Sequence, residues 1–163
     1  PISYDSAGVV ANDRGITVWL KGNRVSRNQI MAIKEESVTD QKNSLTVCLD
    51  NILRHAGITR NTEYDLAQGK TAIQILEENM TGVQVLDLSG CSLDAVLYYV
   101  NQDIPVLAIL EDGEAVLVTG FNEFNVVIME PSTGKLYKKG MNDATTWFAE
   151  NGNHFITYMR TEN

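Results

Sequence analysis

Apolar residues recur at helical spacing in the first part of the chain and in short, strand-like runs in the second. The strongest periodic stretch predicts a helix over 45–56, capped by Asn43 or Ser44 and ended by Gly57. Weaker stretches predict helices over 27–36, 71–79 and 92–101, and a last helix from Asn142 or Asp143 through Phe148. The apolar runs predict strands at 9–10, 16–20, 83–86, 105–110, 114–121, 125–130, 135–138 and 155–159.

This order of elements favours an α+β domain with N-terminal helices packed on a C-terminal antiparallel sheet. With 163 residues, 44% of them hydrophobic, the chain is long enough for one sizeable core and too short for two comfortable domains. We therefore expect a single domain over 1–163, in which 1–26 form an extension or hairpin and 27–163 form the core. The chain starts at Pro1 without Met, which suggests a domain of a larger protein.

Charge and hydropathy exclude two classes of partner. The 13 basic and 21 acidic residues give a net charge of −8, which opposes extended contact with nucleic acid. The longest apolar runs are far shorter than the roughly 20 residues of a membrane helix. We therefore expect a peptide or protein partner, no nucleic acid and no membrane insertion by this segment.

Three successive strands between Ile104 and Gly134 carry a recognisable arrangement. Glu114 precedes the middle strand directly after a Gly, and Glu130 precedes the Pro that ends the next strand. This succession resembles the bacteriocin-processing (double-glycine) cysteine peptidases, a papain-like family. In that family the first position is the catalytic His and the second is an Asp that orients it.

The resemblance extends from Asp40 to Met159 and includes the order of elements. Matching the family's long helix to 48–57 puts its nucleophilic Cys at Ser44, and Gln41 becomes the candidate for the oxyanion-hole Gln. Leu45 stands where the family has a small Gly. The resemblance therefore implies a papain-like cysteine-peptidase fold in which the nucleophile, the base and the orienting group are all replaced.

These replacements predict a domain that does not cleave peptides. Thiol catalysis needs a thiolate beside a proton-accepting imidazole, and a serine with a glutamate is not a productive dyad. The resemblance implies a docking role, because peptidase-like domains without the nucleophile accompany peptide exporters in this family. We expect a peptide or partner to bind in the degenerate groove at Gln41, Ser44, Glu114, Glu130 and Trp147, in an extracytoplasmic or cell-surface bacterial protein.

Two other functions remain open at this point. An active thiol peptidase would use Cys91, which directly precedes the predicted helix start at Ser92, or Cys48. His55 lies about 10 Å along the helix from Cys48, and His154 is interpreted as a loop residue. The third possibility is a structural spacer within a larger surface protein.

No cofactor or metal is expected, although two further interpretations follow from charge. Glu114 and Glu130 could share a calcium ion with Glu111 and Asp112, because a cation would relieve their repulsion. A basic cluster of Lys21, Arg24 and Arg27 near Trp19 could hold an acidic ligand. In both cases solvated turn residues are the simpler interpretation.

Overall fold

An antiparallel sheet forms the centre of the computed structural model, which describes residues 29–30 and 43–161. Within these residues the sheet has seven strands, in the order β2-β7-β3-β4-β5-β6, and β1 also pairs with β4. The strands are β1 (Gln29–Ile30), β2 (Val83–Asp87), β3 (Val106–Ile109), β4 (Ala115–Phe121), β5 (Asn125–Glu130), β6 (Lys135–Gly140) and β7 (His154–Arg160). The helices are α1 (Ser44–His55), α2 (Glu63–Ala67), α3 (Ala72–Asn79), α4 (Leu93–Val100) and α5 (Met141–Glu150).

Side-chain caps fix the starts of three helices close to the predicted positions. Asn43 accepts a hydrogen bond from the backbone N–H of Thr46 at the start of α1, and Ser92 accepts one from Ala95 at the start of α4. Thr71 and Gln74 form a reciprocal capping box at the start of α3. These local signals are readable in the sequence, which explains why the three helices were predicted within about two residues.

The sheet buries a separate apolar cluster on each face. Alternation along β4 sends Ala115 and Leu117 towards α1 and α3, whereas Val116 and Val118 face α4 and α5. Every residue of β4 is buried, because the strand lies between helices on both faces. The predicted α+β architecture is confirmed, with helices on both faces of an antiparallel sheet.

The structure corrects several predicted elements. Gln29 and Ile30 are not helical but pair with Phe121 and Gly120, where β4 extends beyond the end of β3. The last strand, β7, lies inside the sheet between β2 and β3. The short helix α2 was not predicted, and α5 begins at Met141, before the expected cap.

Some predicted features lie outside the described residues. They are the N-terminal hairpin over 9–20, the basic cluster at Lys21, Arg24 and Arg27, and Gln41. Within the described part, no helix combines the length and the hydropathy needed to cross a bilayer.

Candidate functional site

Ser44 lies at the first helical position of α1, against the beginning of β4. Its half-buried hydroxyl oxygen accepts a hydrogen bond of 2.8 Å from the backbone N–H of Ala115. Ala115 directly follows Glu114, so the helix start and the Glu114 position are adjacent in the fold although 70 positions separate them in the sequence. The structure therefore brings Ser44 and the backbone of the Glu114 segment together.

Glu114 itself is an exposed residue at the end of a tight turn. Its backbone N–H donates to Asp112 Oδ1 at 2.9 Å, and its carbonyl accepts the N–H of Leu110 at 2.8 Å. The turn thus holds the backbone of Glu114 in place and leaves its carboxylate in solvent. An exposed carboxylate at this position cannot act as the imidazole base that thiol catalysis requires.

Glu130 is the last residue of β5 and lies at the same end of the sheet. The antiparallel pairing of Leu117 with Met129 puts the end of β5 beside the beginning of β4. One carboxylate oxygen of Glu130 accepts the backbone N–H of Ser132 at 2.5 Å, which stabilises the turn into β6. Glu114 and Glu130 therefore lie at one end of adjacent strands.

Cys48, one helical turn after Ser44, is completely buried. Burial raises the pKa of its thiol well above the ordinary value, and the nearby charge of Glu130 raises it further. The thiol is therefore protonated at neutral pH and inaccessible to a substrate. The alternative in which Cys48 is the nucleophile lacks both an exposed sulfur and a thiolate.

His55, one of the two histidines of the chain, is remote from Ser44. It lies at the opposite end of α1, about 16 Å away along the helix axis. There its Nε2 lies 3.1 Å from the backbone oxygen of Asp103. His55 thus joins the end of α1 to the turn before β3 and is not available to Ser44.

His154 lies on the same face of the sheet as α1, a placement that the sequence interpretation missed. Ile109 pairs with Ala115 on one side and with His154 on the other, so the three residues form a row across the end of the sheet. Ala115 and His154 are two strand spacings apart, about 10 Å, with the half-buried Ile109 between them. The exposed imidazole stands over Gly152, where a Cβ atom would meet its Nε2 at 2.8 Å.

Alternation alone could not have found this row. The run from Phe155 to Met159 predicts a strand, but only the pairing of β7 with β3 places His154 opposite Ile109. In this row the half-buried Ile109 lies between Ala115, the hydrogen-bond partner of Ser44, and His154. We refer to Ser44, Ile109, Glu114, Glu130 and His154 as the sheet-end site.

Comparisons with known proteins bear on the fold. No family model matches the chain, and no curated protein matches it. A crystal structure from Bacillus anthracis, described as that of a C39-like peptidase, has a TM-score of 0.66 at 14% sequence identity. The match covers 82% of this chain and 98% of that one.

This chain has a C39-like peptidase fold. At 14% sequence identity this likeness shows the fold alone. Any activity of the chain has to be argued from its own residues. The predicted papain-like cysteine-peptidase fold is confirmed by this comparison.

Trp147 lies away from the sheet-end site. This position corrects the prediction that Trp147 lines the groove. It packs with the cluster between the sheet and α4 and α5, across the sheet from α1. Its ring lies 4.9 Å from that of Phe148, and Lys139 Nζ lies 4.8 Å from its centroid. The final helix packs on the other face of the sheet, so its aromatic side chains cannot line a groove beside Ser44.

Cys91 also lies on the face away from α1. It packs half-buried beside Leu88 just before Ser92, the cap of α4. His154 belongs to the opposite face of the sheet by its pairing with Ile109, so the sulfur of Cys91 and the imidazole of His154 do not share a face. Both cysteines are free thiols, one in each core, and they do not form a disulfide.

The acidic residues of the sheet end do not assemble the proposed calcium site. Within residues 29–30 and 43–161, no three His, Cys, Asp or Glu side chains are grouped as metal ligands would be. Asp112 and Glu130 each use an oxygen to accept a backbone N–H of a turn. Their hydrogen bonds identify them as turn-stabilising residues.

Proposed function

We propose that this domain is a catalytically inactive relative of cysteine peptidases that binds an extended peptide, or a segment of a partner protein, at the sheet-end site. The observation that carries the proposal is the hydrogen bond from Ala115 N–H to Ser44 Oγ. It puts a serine at the start of the long helix, beside the strand where the resembling peptidases have their catalytic His. The hydroxyl there acts as an acceptor towards the backbone and has no imidazole beside it.

The surroundings of the other candidate nucleophiles support the absence of cleavage. Cys48 is buried and protonated, and Cys91 lies across the sheet from His154. A nucleophile and a base must be within hydrogen-bond reach to form a catalytic pair. The burial of Cys48 and the position of Cys91 on the face opposite His154 argue against such a pair.

The sheet-end site has the features of a recognition surface. Ile109 provides a half-buried apolar residue on the α1 face with Ser44 and His154 on the same face, and Glu114 and Glu130 add two carboxylates at the same end of the sheet. Apolar surface with a few polar groups is the usual composition of a site that orients a ligand. Gln41 belongs to the predicted groove through the resemblance alone.

The test is a screen of immobilised peptides for binding, followed by solution affinity measurement for the strongest sequence. Ile109→Glu is expected to weaken binding at least about tenfold, because it puts a charge in place of the apolar side chain of this site. Glu123→Lys is the control for surface changes, since Glu123 is exposed in the turn between β4 and β5 at the other end of the sheet. Equal affinity for Ile109→Glu and the unchanged protein would place the binding surface elsewhere.

Mass spectrometry of the recovered peptide tests the second part of the proposal. The peptide is expected to stay intact after prolonged incubation. Cleavage that disappears in Cys91→Ala, and persists in Cys48→Ala, would instead establish the thiol-peptidase alternative. A screen without any binder, together with intact peptides, would favour the structural spacer.

A further inference from the structure

The outermost strand β6 is basic in an otherwise acidic chain. Lys135, Lys138 and Lys139 are three of the chain's 13 basic residues, against 21 acidic residues in total. They fall within one strand of six residues that contains no acidic side chain. This local charge is opposite in sign to the net charge of −8.

Register divides the lysines between the two sides of the strand. Tyr137 pairs with Ile128, which faces α5, so Lys135, Tyr137 and Lys139 share that side, and Lys138 lies on the other. Lys139 is engaged above the ring of Trp147. Lys135 and Lys138 are exposed, and within the described part of the chain neither forms an ion pair.

We propose that the outer side of β6 is a docking surface for a short, extended acidic peptide segment. An extended chain presents successive side chains on alternate sides, so its carboxylates can reach Lys135 on one side of β6 and Lys138 on the other. Charge complementarity selects the acidic partner. The net charge of −8 repels a large polyanion such as nucleic acid, which leaves a short segment as the partner.

Lysines on a terminal strand also have a simpler role, because charge there opposes edge-to-edge association. That role requires charge of either sign and no binding partner. A comparison of acidic and neutral peptides separates the two explanations.

The experiment measures fluorescence anisotropy of a fluorescein-labelled octapeptide in which pairs of adjacent glutamates alternate with pairs of threonines, so that carboxylates lie on both sides of the extended peptide. A matched peptide has glutamine in place of glutamate. The purified protein is expected to bind the glutamate peptide at least about tenfold more tightly at low salt, with the preference falling as salt screens the charges. Lys135→Gln/Lys138→Gln is expected to lose this preference, and Lys135→Arg/Lys138→Arg is expected to keep it.

A second double variant controls for net charge. Gln68→Glu/Gln84→Glu changes two exposed positions away from β6 and makes the net charge more negative by two, as the lysine-to-glutamine pair does. It is expected to retain binding within about twofold. Equal affinity of the unchanged protein for the two peptides, or an equal loss in both double variants, would overturn the proposal.

Discussion

At the start of α1 a serine hydroxyl and a thiol lie one turn apart, and their surroundings give them different roles. Ser44 is half-buried and accepts a hydrogen bond from β4, whereas Cys48 is completely buried. The first residue therefore joins two elements and the second packs in the core. Neither environment favours formation of a nucleophile.

Ser44→Ala removes the acceptor for Ala115 N–H. The free energy of unfolding is expected to fall by about 1 kcal/mol, because a part-buried donor loses its partner. Urea unfolding at pH 7 measures the change. Ser132→Ala, an exposed serine of the turn after β5, is the control and is expected to change stability by less than about 0.5 kcal/mol.

The two thiols are expected to differ in reactivity in the folded protein. A disulfide reagent at pH 8 should modify the half-buried Cys91 and leave the buried Cys48 unreacted until urea unfolds the chain. The folded Cys91→Ala variant is expected not to react with the reagent, and the folded Cys48→Ala variant is expected to react as the unchanged protein does. Rapid labelling of Cys48 in the folded Cys91→Ala variant would contradict its burial.

The raised pKa of Cys48 also predicts a dependence of stability on pH. Burial keeps the thiol of Cys48 protonated in the folded protein, whereas the unfolded thiol ionises near pH 8.5. The contribution of this thiol to the free energy of unfolding is therefore fully present below about pH 8.5 and is lost as pH rises towards the folded pKa. The free energy of unfolding is expected to fall from pH 8 to pH 10, and to fall less steeply in Cys48→Ala. Identical slopes of stability against pH in the two proteins would contradict the assignment.

At the scale of elements, α1 is held at both ends and along its length. Its start contacts β4 through Ser44, its end contacts Asp103 through His55, and Asp50 in its middle accepts hydrogen bonds from Thr62. Asp50 and Thr62 are both buried, so the segment between α1 and α2 is tied to the helix by a charge-assisted hydrogen bond. This fastening keeps the helix in place beneath the sheet-end site.

Thr62→Val tests that fastening with little change in shape. It removes the 2.9 Å bond from Thr62 Oγ1 to Asp50 Oδ1 and leaves the backbone donor of Thr62 in place. The free energy of unfolding is expected to fall by about 2 kcal/mol, because a buried carboxylate loses a donor. Thr59→Val, at an exposed position of the same loop, is the matched control in urea unfolding, and an equal loss there would refute the interpretation.

For the molecule as a whole, one sheet supports two cores. The cluster under α1 and α3 and the cluster under α4 and α5 share β3, β4, β5 and β7. Neither cluster can lose its strands without exposing the other. The described part of the chain should therefore unfold as one cooperative unit.

Cooperative unfolding can be measured with one probe on each face. In a Trp19→Phe/Cys91→Ala protein, the fluorescence of Trp147 reports on the α5 face and the labelling of Cys48 reports on the α1 face. The two urea midpoints are expected to coincide. Separated midpoints would show that the cores unfold independently, contrary to the single domain predicted from the length.

Particular residues show how far the sequence determined the fold and the site. Asn43, Thr71 and Ser92 are local caps, and the apolar runs alternate or repeat within a few residues, so most helices and strands were predictable. Gln29 and Ile30 were predicted as helix because their pairing with β4 depends on residues about 90 positions away. Trp147 was assigned to the groove because aromatic character does not reveal which face of the sheet a helix covers.

The sequence by itself determined most of the helices and strands and the side-chain chemistry at Ser44, Glu114 and Glu130, because capping, periodicity and residue identity are local properties. Only the tertiary structure decided that Ser44 bonds to Ala115, that His154 shares the face of α1, and that Cys48 is sealed in the core. Those facts follow from strand order and register, which depend on pairings between distant segments and on the packing of both faces at once.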